Sequence, residues 1–289
     1  MSRRLFRARV NLCGFLFLPV FAALAGEQDS ARSPEYQLSI ERWNNRLGNP
    51  YKIIGGHNAN YANYEWEIAL VNATIPDNFY AQFCSANYIA KSWAVTAAHC
   101  VAGLDPSDIN VMYGSSILDD SGKREAIDSI VRCDDCAGGG ATDLALLKLH
   151  DALSITPVSI APKDKAQAVL QPGAVVIISG WGLLDPAHNN FRSKTLRETS
   201  VKFQTLDDCN GPEGYDGAIP KTSFFCAGFP DGAIDSCTGD SGGPALMEID
   251  GALKLTGIVA KGDSCGKPKK YGVYTRVFDF DKWIETHAK

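Results

Sequence analysis

The sequence predicts an all-β fold, a sandwich or a barrel, and three observations carry that reading. From Ile53 onward, short runs of β-branched and aromatic residues recur at fairly regular spacing. Gly, Pro, Asp and Asn bound most of these runs and supply the turns between them. Helical periodicity is confined to the C-terminus, where Phe280, Trp283, Ile284 and His287 fall at three-to-four spacing.

Taken in order, the chain begins with a leader. Arg3, Arg4, Arg7 and Arg9 precede an apolar run from Val10 to Ala25 that ends Ala23-Leu24-Ala25. This is the pattern of a secretory signal peptide over residues 1–25, too short and too broken by Pro19 to span a bilayer comfortably. Residues 26–52 are polar, contain Pro34 and Pro50 but no cysteine, and read as a linker or pro-segment. The strand candidates follow: YANYEWEIALV, SANYIAKSWAVTAA, INVMYG, DLALLKL, AVVIISGWG, LKLTGIVA and YGVYTRV. A polar, proline-bearing stretch near 155–170 reads as a crossing between two β units, and FDFDKWIETHAK as a terminal helix.

Composition sets the class. With 45% hydrophobic and 21% charged residues, the 289-residue chain is an ordinary globular protein, long enough to bury a sizeable core. Its net charge of −5 divides into +4 for residues 1–52 and −9 for residues 53–289. An acidic body without a Lys/Arg cluster argues against nucleic-acid binding. Export gives the cysteines their meaning. Cys13 leaves with the leader. The other eight (Cys84, Cys100, Cys133, Cys136, Cys209, Cys226, Cys237 and Cys265) form an even set suited to disulfides in an oxidising compartment.

The densest chemistry lies in DSCTGDSGGPAL, residues 235–246. Gly239, Gly242, Gly243 and Pro244 would make a tight turn in any β-protein, so Ser241 needs a base elsewhere to be more than a turn serine. Of the five histidines, His99 differs: it ends the apolar run AVTAAHC and is locked to the scaffold by Cys100. Asp143 heads the run DLALLKL. Singly, each is an ordinary strand-end residue. Together, AVTAAHC, TDLALLKL and GDSGGP in this order resemble the signature segments of the trypsin/chymotrypsin family of serine proteases. The resemblance extends from Ile53 to the C-terminus, through IIGG, SGWG at 179–182 and GVYTRV at 272–277.

That resemblance implies two antiparallel six-stranded Greek-key β-barrels, about 53–160 and 165–289, with a short C-terminal helix. The active site would lie between the barrels. It implies Ser241 as nucleophile, His99 as the base that takes and returns its proton, and Asp143 as the group that fixes the imidazole tautomer. The backbone N–H groups of Gly239 and Ser241 would form the oxyanion hole, where one donor is worth about 3–4 kcal/mol. KIIGG at 52–56 resembles the family's activation site. Cleavage after Lys52 would free the Ile53 ammonium to pair with Asp240 and order the oxyanion turn, and residues 26–52, lacking a cysteine, would leave. Asp235 matches the acid on the floor of the S1 pocket, which selects Lys or Arg at P1. Ser236 adds a hydroxyl there, and Gly262 and Gly272 match the pocket walls.

The resemblance also implies the bridges Cys84–Cys100, Cys209–Cys226 and Cys237–Cys265. Cys133 and Cys136 remain, as CDDC. A C-x-x-C pair can serve redox or zinc chemistry, but no second ligand pair and no βαβ pattern accompanies this one, so a local disulfide is expected. Two positions depart from the family. Ala260-Lys261-Gly262 stands where Ser-Trp-Gly is usual, replacing an apolar S2–S4 wall by a cation suited to acidic P2–P4 residues. Tyr271 stands where many relatives carry Pro. The segment SSILDDSGKRE lacks an acid directly after Gly114, so the match to the family's calcium loop is too poor to assign calcium, and no other metal or cofactor is expected. Asn72-Ala73-Thr74 is a sequon, meaningful only in a glycosylating host.

The expected protein is a secreted, monomeric endopeptidase, extracellular or, in a bacterial host, periplasmic. Its partners would be peptide substrates with Lys or Arg at P1, an activating protease or itself, and protein inhibitors. Neither nucleic acid nor, after leader removal, a membrane is among them. The competing reading is a catalytically silent homologue that binds or inhibits. Such proteins usually lose a triad member or a glycine of the nucleophile turn, and this chain retains them all.

Overall fold

Short apolar strands leave sheet edges that must be closed or covered, and this chain closes them twice. The structure is a computed structural model that describes residues 32–45, 56–134, 136, 142–184, 192–232, 234–263 and 265–289. The leader and the Lys52–Ile53 bond lie outside the described residues. A two-residue strand, β1 (His57–Asn58), opens the body. The first barrel comprises β2 (Glu67–Asn72), β3 (Gln82–Ala90), β4 (Trp93–Thr96), β5 (Ile109–Tyr113), β6 (Lys123–Arg132) and β7 (Ala145–Leu149), closed in the order β2-β3-β4-β7-β6-β5. The second comprises β8 (Val175–Gly180), β9 (Arg197–Gln204), β10 (Phe224–Ala227), β11 (Pro244–Ile249), β12 (Ala252–Lys261) and β13 (Gly272–Arg276). These run β8-β9-β10-β13-β12-β11, and a β11–β8 pairing closes the ring, with β1 added outside β9. Both barrels therefore wind in the same antiparallel order, and the two-barrel expectation holds.

Each barrel is filled by inward-facing apolar side chains. Ile68, Leu70, Val111 and Leu147 are fully buried in the first. In the second, Val176, Val201 and Val259 surround Phe225, which stacks on Tyr274 at 5.2 Å between ring centroids. The connection near 155–170 holds helix Lys163–Val169, and the chain ends in helix Asp281–His287 after a 3₁₀ turn at Val277–Phe280. Strands β6 and β9 are polar and half-buried, so their alternation is weak in the sequence. The run YANYEWEIALV starts as a 3₁₀ turn, Tyr61–Asn63, and becomes a strand only at Glu67. Among the described residues, no helix is long and apolar enough to cross a membrane.

The polar segment before the body is not a featureless linker. It contains a helix, Pro34–Asn44, here α1. Proline at the first helical position is preset for the turn, and Tyr36, Ile40 and Trp43 repeat on one face. Tyr36 is 1% exposed and meets Phe83 edge-on at 5.4 Å. Trp43 meets Tyr80 at 6.0 Å, and the Ser33 N–H donates to the Ala102 carbonyl at 2.9 Å. Asn72, the sequon asparagine, is fully buried. Its Oδ1 accepts from Thr74 and its Nδ2 donates to Ser39 Oγ of α1, so in this fold the amide is not accessible to a glycosylating enzyme.

Candidate active site

Strands β4 and β7 are antiparallel neighbours with Thr96 opposite Ala145, so the end of one lies beside the start of the other. His99 sits in the 3₁₀ turn Ala98–Val101 just past β4, and Asp143 lies two residues before β7. Pairing therefore brings them together. Asp143 Oδ2 is 2.6 Å from His99 Nδ1, and its Oδ1 accepts from the His99 backbone N–H at 2.9 Å. With both carboxylate oxygens engaged, the ring is held in one orientation. The second barrel joins in through Thr275 Oγ1, which donates to the Asp143 carbonyl at 2.9 Å. Burial pulls the His99 pKa down, but the bond and charge of Asp143 and the charge of Glu35 outweigh it, leaving it above the ordinary value.

Ser241 is 9% exposed and lies on the turn that leads into β11. That turn is held from the other barrel by β3. The Ser85 N–H donates to the Ser241 carbonyl at 2.8 Å, Asn87 Nδ2 to the Gly242 carbonyl at 2.9 Å, and Gln82 Nε2 to the Gly239 carbonyl at 2.9 Å. Sequence reasoning missed Gln82 and Asn87. The signal was available: amides inside an otherwise buried strand need partners. His99, Asp143 and Ser241 line one cleft of about 460 Å³ together with Ser236, Cys237 and Ala260–Gly262. Among the described residues no hydrogen bond joins Ser241 Oγ to His99 Nε2, which faces Glu35 Oε1 of α1 at 3.8 Å.

Gly239 has φ +97°, and a Cβ there would run into the Arg192 guanidinium, so glycine is required on both counts. Arg192 is 4% exposed and was also missed. Its Nη1 donates to the Gln82 carbonyl at 2.7 Å and its Nη2 to Gln82 Oε1. Burial, then the nearby Arg42, lower its pKa well below the usual arginine value, against the pull of Asp240.

Asp235 Oδ1 accepts from the Ser236 N–H at 2.8 Å and its Oδ2 from the Gly266 N–H at 3.3 Å. A Cβ on Gly272 would lie 2.7 Å from Asp235 Oδ1, and one on Gly262 would lie 3.9 Å from Oδ2, so both glycines face this acid. Ser236 Oγ is 3.4 Å from the Tyr274 hydroxyl. Burial pushes Asp235 up to about 7, more than its N–H donors pull it down. Asp240 lies five residues on. It accepts from the Cys237 and Gly182 N–H groups at 2.9 and 2.7 Å, and burial raises it to about 6. Asp235, Asp240 and Glu198 line a second cavity, of about 280 Å³.

Lys261 is exposed at the end of β12 and lines the cleft, while Ala260 and Tyr271 are buried, the Tyr271 carbonyl accepting from Tyr215 at 2.7 Å. Four disulfides join Cys84–Cys100, Cys133–Cys136, Cys209–Cys226 and Cys237–Cys265. Cys84, Cys100 and His99 bring three donor atoms within 4.8 Å of one another, but the two sulfurs are bonded to each other and are not free thiolates. An imidazole oriented by a carboxylate, in one cleft with a serine on a glycine-rich turn, suits nucleophilic acyl transfer.

Comparison with known proteins agrees with this chemistry. The family model described as Trypsin matches residues 53–284. The chain is 32% identical over 242 residues to coagulation factor IX of Oryctolagus cuniculus, covering 80% of this chain and 83% of that protein. It is 32% identical over 229 residues to a trypsin of Saccharopolyspora erythraea, covering 78% and 93% respectively. Transmembrane protease serine 11C of Mus musculus is 31% identical over 237 residues, 81% of this chain and 53% of that protein.

Proposed function

The chain belongs to the trypsin family of serine proteases, and we propose that it is a secreted endopeptidase that cuts after Lys or Arg once released from a zymogen. The observation that carries the catalytic part is the two-point grip of Asp143 on His99 in the cleft that holds Ser241. Ser241 attacks the scissile carbonyl and His99 takes its proton. The imidazolium forms beside Asp143, and His99 then returns the proton to the leaving amine. The N–H groups of Gly239 and Ser241 receive the oxyanion.

Specificity rests on Asp235. A carboxyl raised to about 7 at the end of a glycine-walled slot gains by pairing with a substrate cation, which restores its charge. Lys261 sets the S2–S4 preference toward acidic residues, because it offers a cation where the cleft is open. Activation follows from the second cavity. Among the described residues Asp240 has N–H donors but no cationic hydrogen-bond partner, and the ammonium of Ile53, freed by cutting after Lys52, supplies one.

A fluorophosphonate serine label, applied before and after cleavage at Lys52, tests this reading. Labelling at Ser241 that rises on cleavage and vanishes in Ser241→Ala is expected. A protein cleaved at Lys52 and freed of residues 26–52 that still resists the label is instead the silent, binding homologue.

A further inference from the structure

We propose that the barrel-one wall of the cleft is a peptide-binding groove whose ligand is α1, and that this helix is a built-in inhibitor held without a covalent tie. The proposal rests on the protease reading above and concerns how that site is kept closed.

An isolated helix of 11 residues is marginal in water, so the order of α1 comes from what it docks on. The groove is specific rather than merely apolar. Tyr36 is buried against Phe83, Ser39 meets Asn72, and the Ser33 N–H extends to the Ala102 carbonyl just past the His99 turn. At its start the helix reaches the catalytic imidazole: Pro34 and Glu35 line the cleft with His99 and Ser241, and Glu35 Oε1 stands 3.8 Å from His99 Nε2. That nitrogen is the one that must accept the Ser241 proton.

At its other end the helix reaches Gln82, the residue that holds the oxyanion turn. Arg42 donates to the Gln82 carbonyl, the same oxygen that accepts from Arg192. The Gln82 side chain in turn holds the Gly239 carbonyl, and Arg192 lies against Gly239. At about 1.5 Å per residue the helix spans roughly 16 Å, enough to cover both contacts at once. None of them passes through the Lys52–Ile53 bond. Cutting that bond frees Ile53 but leaves the groove occupied, so full activity needs a second event, dissociation or further cleavage of α1.

The test uses the full chain after leader removal, cut at Lys52 by immobilised trypsin and passed over a gel-filtration column at about 0.15 M salt. The fragment carrying α1 is expected to co-elute with the body, as detected by mass spectrometry, and to be lost in Tyr36→Ala/Arg42→Ala. Activity per cleaved wild-type molecule on a small Arg ester should rise at least about 5-fold on 100-fold dilution, while the double variant is fully active at once. A wild-type fragment that separates from the body, or co-elution unaffected by the double substitution, overturns the proposal. So does activity that is independent of dilution. Silence of every form with the fragment retained contradicts the catalytic reading and leaves the docking standing.

Discussion

Asp235 carries its proton up to about pH 7 because burial outweighs the two N–H groups that bond it. A lysine or arginine side chain in the slot favours the ionised form, so binding below pH 7 must expel that proton. KM for an Arg substrate should therefore fall as pH rises from 6 to 8 and then level off. A P1-Phe substrate should show no such slope, a contrast that steady-state kinetics resolves. Asp143 acts on His99 at two points, and Asp143→Asn should lower kcat by about 10⁴-fold through the wrong tautomer. Ser241→Ala should lower it by about 10⁶-fold. These residues were legible because their types and order are themselves the chemistry. Gln82, Asn87 and Arg192 were not, because their role comes from a partner in the other barrel more than 100 positions away in sequence.

Strand β3 is the element that joins the two halves of the site. Gln82→Ala leaves both the Gly239 carbonyl and the buried Arg192 short of a partner, and should cost about 1–3 kcal/mol in denaturant unfolding. The disulfides differ by loop length. Cys133–Cys136 closes a loop of separation 3 and Cys209–Cys226 one of 17, so chain entropy assigns them about 1.5 and about 3 kcal/mol. Paired Cys→Ser variants should follow that order in Tm. Many strands were legible from β-branched runs, but β6 and β9 were not, since half-buried strands tolerate Lys, Arg and Glu, and the short runs FFCA and PALMEI of β10 and β11 were also passed over. Helix α1 was read as linker because its polar composition hid three aromatic or aliphatic residues at helical spacing. Its order depends on a groove that no local pattern reveals.

At the scale of the molecule, three acids act together, Glu67 buried and Asp235 and Asp240 half-buried: loss of surrounding water raises Glu67 to about 8, Asp235 to about 7 and Asp240 to about 6. Unfolded, they ionise near pH 4, so between pH 4 and their folded values the unfolded chain binds fewer protons and stability falls as pH rises. The uncut protein should therefore melt at a lower temperature at pH 7 than at pH 5, by calorimetry. Cleavage at Lys52 should recover the part due to Asp240, because the new ammonium favours its ionised form. The proposed specificity needs Asp235 to take the P1 cation while Ser241 attacks the carbonyl. The most direct measurement is kcat/KM on peptides differing only at P1, before and after cleavage at Lys52, alongside Asp235→Ser. After cleavage, Arg and Lys should exceed Phe and Glu by at least about 10³-fold, and Asp235→Ser should remove that preference. Equal rates across P1 residues, or a preference that survives Asp235→Ser, would contradict it.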